Sequence, residues 1–129
     1  MRIFKLASFD KFAQKQDISD ESLRGAVEHA EKGLIDADLG DGVIKQRIAR
    51  QGEGKRGGFR TIIIFRSMER AFFVYGFAKN EQENIRRDER TALKTLAPYL
   101  LNLPEEGVNA LVEDGAYAEV KYNGETVQK

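Results

Sequence analysis

Lys45, Arg47, Lys55, Arg56, Arg60, Arg66, Tyr75 and Lys79 are the side chains of this sequence whose types and spacing could act together on a substrate. All but Tyr75 are cations, and all lie between Gly42 and Lys79. Such a set suits the cleavage of RNA without a metal ion. The 2′-hydroxyl must lose a proton and attack the adjacent phosphorus, and the crowded phosphorane and the leaving 5′-oxygen must be stabilised. An Arg braces two phosphoryl oxygens at once, and a Lys among other cations sheds its proton more readily and can serve as base or acid. An aromatic such as Tyr75 or Phe59 can stack on a splayed base. The same cations also read as the solvated face of a sheet, since strand faces are often charged. Residue types alone leave both readings open.

Other chemistries have little to work with. The chain holds one His and no Cys, and no HExxH, CxxC or P-loop pattern, so neither a metal site nor a Ser-His-Asp arrangement is expected, and no cofactor. His29 sits beside Glu28, between Val27 and Ala30, and reads as a surface residue of a helix. The run GEGKRGG lacks the spacing and the terminal Ser or Thr of a phosphate loop. Charge points to polyanions instead. Residues 45–79 hold nine Lys or Arg against two Asp or Glu, a net of +7, whereas 1–44 hold six against nine and 80–129 six against ten. The formal net charge of zero therefore conceals a basic block between acidic flanks, and nucleic acid is the first partner to expect.

The elements that must carry these side chains belong to one domain. At 129 residues with 41% hydrophobic content, a single core over residues 1–120 is expected, with 121–129 as a polar tail. Lys5 and Asp10 interrupt MRIFKLASFDKF, so it is no signal peptide, and no run approaches a membrane span. With no cysteine, a soluble cytoplasmic protein without a membrane partner is the expectation.

In chain order, Arg2 to Ala7 reads as a short strand, and Ser8 as the cap of a short helix closed by Asp17. Ser19 caps a second helix with the stripe Leu23, Ala26, Val27 and Ala30, and Gly33 ends it. Asp36 to Gly42 reads as a turn-rich spacer. Val43 to Arg50 has period two, with Ile44 and Ile48 on one face and Lys45 and Arg47 on the other. Gln51 to Gly58 is a Gly-rich loop carrying Lys55 and Arg56. Phe59 to Arg66 and Ala71 to Ala78 are the most β-prone runs, joined as a hairpin across Ser67 to Arg70. Asn80 with Glu83 caps a long helix from Glu81 to Asn102, which Pro98 should bend or end. Pro104 opens a last helix stopped by Gly115, and Tyr117 to Val120 adds an edge strand. The fold class is α+β: a mostly antiparallel central sheet packed by an N-terminal helical hairpin and C-terminal helices, in the order β-α-α-β-β-β-α-α-β. If the hairpin is centred between Met68 and Glu69, Arg60 faces Phe77, and Arg60, Tyr75 and Lys79 share a face; a register slip of one residue would break the set.

In order and spacing, GVIKQRIAR, GKRGGFRTIIIF and RAFFVYGFAKNEQENI resemble the central strands and following helix start of the RelE/ParE superfamily of bacterial type II toxin–antitoxin toxins. The similarity is to the RelE-type branch that includes HigB-like proteins, covers Met1 to about Leu101, and is most specific between Val43 and Ile85. It implies a toxin that enters the ribosomal A site, cuts the mRNA there by metal-independent 2′-hydroxyl attack, and is held inactive by a cognate antitoxin. Operator DNA is then a partner only through the antitoxin complex. By similarity, Lys45 and Arg47 match the basic positions of the second strand, Arg60 matches the Arg of the GG-aromatic-Arg strand, and Lys79 matches the basic residue after the last central strand. The resemblance thus implies transition-state stabilisation by Arg60, proton transfer by Lys45 or Lys79, and backbone contacts to RNA or ribosome by Lys55, Arg56 and Arg66. Two family features are missing: NEQENIRRDE lacks the Tyr some RelE proteins carry early in the helix after the last strand, and the His and Asp pattern of some HigB proteins is absent. The alternatives are a ParE-like inhibitor of DNA gyrase that cuts nothing, and a catalytically inactive partner of an antitoxin on operator DNA.

Overall fold

In the computed structural model, which describes residues 1–49, 58–78 and 84–121, the most apolar runs take the centre of a six-stranded sheet. The elements are β1 (Arg2–Leu6), α1 (Ala7–Lys15), α2 (Asp20–Glu31), β2 (Ala37–Gly40), β3 (Val43–Ile48), β4 (Phe59–Arg66), β5 (Arg70–Ala78), α3 (Arg87–Leu101), α4 (Glu105–Glu113) and β6 (Tyr117–Glu119). The sheet order is β2-β3-β4-β5-β1-β6, antiparallel except where β1 runs parallel to β5. The α+β expectation holds. Because β4 and β5 are covered on both faces, they read as nearly continuous apolar runs instead of alternating ones. On one face Ile62, Ile64, Phe72 and Val74 pack with Leu93, Ala97 and Leu100 of α3 and Val108 of α4. On the other, Ile63, Ala71 and Phe73 pack with Phe9 and Ala13 of α1 and Leu23, Val27 and Ala30 of α2. No helix among the described residues is long and apolar enough to cross a membrane.

Several boundaries differ from the sequence reading, each for a physical reason. The spacer at Asp36 to Gly42 contains a strand, β2, which closes on β3 through a tight turn with Asp41 and Gly42 at positive φ. The first helix starts at Ala7 with Leu6 as its cap in place of Ser8, because Ala116 O accepts the amide of Ala7 at 3.0 Å and supplies the end group by tertiary contact. The long C-terminal helix begins at Arg87, not Glu81, where Glu89 accepts the Arg86 amide at 2.9 Å; the Asn80 and Glu83 cap lies outside the described residues. Pro98 does not end that helix at Ala97, since α3 runs on to Leu101. It sits in the last turn on the exposed side, so the carbonyl it leaves unbonded belongs to exposed Lys94.

The β4–β5 hairpin is tighter at its tip than expected. Three residues join the strands, Met68 takes φ 67°, and the Glu31 carboxylate accepts from the Ser67 hydroxyl at 2.6 Å and the Met68 amide at 2.9 Å. From the tip, Arg66 pairs with Arg70 and Ile63 with Phe73; then a bulge at Val74 shifts the register, and Ile62 pairs with Tyr75 and Arg60 with Phe77. Val74 and Tyr75 therefore both face α3. Beside the bulge, Gly76 lets α1 come close: a Cβ there would overlap the Phe12 ring and stand 2.9 Å from Phe9 Cε1.

Charged groups anchor the helices to the sheet at its hairpin end. Arg70, 9% exposed, donates to Leu100 O at 3.0 Å and Leu103 O at 2.7 Å, ending α3 with a cation where its dipole is negative, and bonds Glu105 of α4 at 2.9 Å. Its parallel neighbour Arg2 bonds Glu105 and Glu119. At the other end of β1, burial opposes the charge on Lys5, but Asp20 and Asp10 at 2.9 and 3.0 Å outweigh it and hold the ammonium pKa above its ordinary value.

Gly76→Ala is expected to lower stability by about 1–3 kcal/mol, the usual cost of overpacking, visible as a lower urea midpoint at unchanged slope. A second expectation concerns pH. Burial pushes the Tyr117 phenol up from 10.0 to about 12, so the unfolded chain releases this proton first and stability is lost as pH rises between those values. Tyr117→Phe should show a smaller fall in urea midpoint over that window than the parent chain.

Candidate functional site

The register of β3, β4 and β5 lays the candidate residues out as two rows on the α3 face. One row is Lys45–Ile62–Tyr75, and the next, two residues further along, is Arg47–Arg60–Phe77. The rows are about 7 Å apart, two residues of strand rise. The first turn of α3 reaches the inner row, where Tyr75 feels Glu89, Arg86 and Asp88. Arg60 and Tyr75 share one face, as expected, because the register slip occurs on the tip side of Tyr75 and leaves the outer rows aligned, and Lys45 joins them through its pairing with Ile62; Lys79, the third member of the expected set, lies outside the described residues.

Arg60 is the centre of this arrangement. It lies between Arg47 on one neighbouring strand and Phe77 on the other, is 9% exposed, and its Nη1 is a buried side-chain nitrogen without a hydrogen-bond partner among the described residues. Two like charges placed directly opposite on adjacent strands repel, and a buried donor left unsatisfied costs about 1–3 kcal/mol, more when charged. No described carboxylate forms an ion pair with Arg60, Arg47 or Lys45. The nearest acid along the edge, Asp36, accepts instead from the backbone amide of Arg47 at 2.7 Å. Arg47 and Arg60 are thus cross-strand partners on the α3 face, with Phe77 opposite Arg60 on the other side, and guanidiniums at paired positions are of the kind that brace phosphoryl oxygens.

The remaining candidates divide. Lys45 is half-buried between Ala37 and Ile62, and Arg47 is exposed where β3 runs beyond its β2 partner. Burial and then the Glu89 carboxylate raise the Tyr75 phenol above its ordinary value, so it stays protonated and can donate a hydrogen bond or present its ring. Arg66 stands apart: six residues along β4 from Arg60, roughly 20 Å, it donates to Leu101 O and to Asn102 Oδ1, both at 3.1 Å, where it ends α3. Lys55, Arg56 and Lys79 lie outside the described residues, in the connections 50–57 and 79–83 that leave from the Arg60 end of the sheet. Among the described residues no group of His, Asp and Glu is placed to hold a metal ion.

Phe77 stands opposite Arg60 as the hairpin register predicts. Gln46 was missed from sequence, although a polar residue at the inward position between Ile44 and Ile48 is a signal of buried hydrogen bonding. Arg60→Met is expected to unfold at the same or a higher urea concentration than the parent, gaining up to about 2 kcal/mol by removing an unsatisfied buried cation. A sharp drop in midpoint would mark Arg60 as a structural cation instead.

A model of the family described as "RelE toxin of RelE / RelB toxin-antitoxin system" matches residues 1–120 of the chain.

Proposed function

The chain belongs to the RelE family of toxins from toxin–antitoxin systems, and from that premise we propose that it is an endoribonuclease that cuts mRNA on the ribosome by attack of the 2′-hydroxyl. The observation that carries this reading is the buried Nη1 of Arg60, without a partner among the described residues and on the strand position paired with Arg47. A buried guanidinium nitrogen without a bond, opposite a second cation, is costly to fold, and an anion bound there would relieve both the repulsion and the missing bond.

In the proposed reaction the phosphate of the scissile linkage sits against Arg60 and Arg47, which brace its non-bridging oxygens as they gain charge in the phosphorane. Lys45, one row inward on the same face, accepts the 2′-hydroxyl proton or donates to the departing 5′-oxygen, and Lys79 takes the complementary role. The products are a 2′,3′-cyclic phosphate and a free 5′-hydroxyl, with the proton taken from one oxygen returned to the other. Tyr75, on the inner row and kept protonated, offers a ring or a hydrogen bond to a neighbouring base. Lys55 and Arg56 would meet the RNA or ribosome backbone, and Arg66, engaged at the end of α3, would do so only from the far end of the strand.

A cognate antitoxin is the partner that family membership brings. The +7 block would suit an acidic antitoxin segment, and operator DNA would be reached through that complex.

Induced expression of the parent chain and of Arg60→Ala, with 5′ ends mapped on translated mRNAs, tests the proposal. The parent should arrest growth and create new ends within codons, and the variant should lose about 10²–10³ in cleavage rate, the usual effect of removing one transition-state donor. Arrest without new ends, with a change in plasmid supercoiling, would transfer the activity to DNA gyrase. Equal cutting by both chains would remove Arg60 from the site.

A further inference from the structure

Gln46 lies on the α2 face of β3, opposite to the face that carries Lys45 and Arg47, and is 2% exposed. Its amide is fully engaged: Nε2 donates to Ala26 O at 3.1 Å and Leu34 O at 3.2 Å, and Oε1 accepts from the Asp36 amide at 2.8 Å. Asp36 then returns to the strand, its Oδ2 accepting from the Arg47 amide at 2.7 Å, while the Thr61 hydroxyl of β4 donates to Gln46 O at 2.9 Å. This network stands where the β2 ladder stops, since the last pair on that side is Ala37 with Lys45. Beyond it, side chains replace the missing strand.

We infer that Gln46 and Asp36 are positioning residues for Arg47: a clamp that fixes the backbone of β3 past its last β2 partner and so holds Arg47 at the position paired with Arg60. The inference rests on the nuclease reading for its consequence, but the clamp itself is a property of the fold. Asp36 is the critical part. It is the acid nearest to Arg47 along the chain edge, and by accepting from the main chain it holds the residue without neutralising its side chain. An acid at that place without the Gln46 contact would be free to turn toward the guanidinium and neutralise it.

Asp36→Ala, Asp36→Asn and Gln46→Met, each alone and Asp36→Ala also with Arg47→Ala, test this by amide hydrogen exchange at Arg47 and by mRNA cleavage on programmed ribosomes at saturating toxin. In Asp36→Ala the Arg47 amide should exchange roughly tenfold faster and cleavage should fall roughly tenfold, the worth of about one hydrogen bond. The cleavage losses of Asp36→Ala and Arg47→Ala should not multiply, because both act through one guanidinium. Asp36→Asn, which keeps an acceptor oxygen, should recover most of both readouts, and Gln46→Met should repeat the Asp36→Ala pattern. Unchanged exchange at Arg47, faster exchange with unchanged cleavage, or losses that multiply with Arg47→Ala would each overturn the inference. A parent chain that cuts no mRNA would instead overturn the nuclease reading, and exchange at Arg47 would still decide whether the clamp exists.

Discussion

Everything on the α3 face depends on the pairing of β4 with β5 and on the bulge that interrupts it. Side chains of a strand alternate between faces, so the register set at the hairpin tip would place Tyr75 opposite Thr61, toward α1 and α2. Inserting Val74 as an unpaired residue reverses the parity for the rest of the strand. Tyr75 and Phe77 turn toward α3, and Gly76 turns toward the rings of Phe9 and Phe12. One extra residue thus serves two neighbours at once, opening room for α1 on one side and placing Phe77 opposite Arg60 on the other.

The fold was legible where one physical signal dominated. Period two in β3 separated Ile44 and Ile48 from Lys45 and Arg47, and the Ser19 cap with its stripe defined α2, because patterns of that kind are local. What escaped were features decided by distant partners. β2 reads as a spacer because ADLG has no β-branched residue, and it becomes a strand only because β3 offers it an edge. The start of α1 is fixed by Ala116, more than a hundred residues away, and Pro98 is tolerated because the carbonyl it deprives faces water.

The candidate site was half legible for the same reason. Residue type and parity put Lys45, Arg47, Arg60 and Tyr75 together, and those are strand properties. Arg66 has the same composition and a similar place in sequence, yet tertiary packing assigns it to the carbonyls at the end of α3, beside Arg70. What distinguishes the two arginines of β4 is satisfaction. Arg66 and Arg70 have carbonyl and side-chain oxygen partners that make their charge part of the fold, whereas Arg60 retains a buried nitrogen with none among the described residues, and such unrelieved costs gather at working sites.

The parallel pairing of β1 with β5 bears on how the molecule is made. Arg2 is matched with Arg70 and Phe4 with Glu119, so β1 lies between two strands far from it in sequence, one before α3 and one after α4. A growing chain can form the β3–β4–β5 meander from neighbouring segments, but β1 must wait for β6 before both of its edges are filled. The basic rows can therefore assemble from neighbouring segments before β1 has both of its partners.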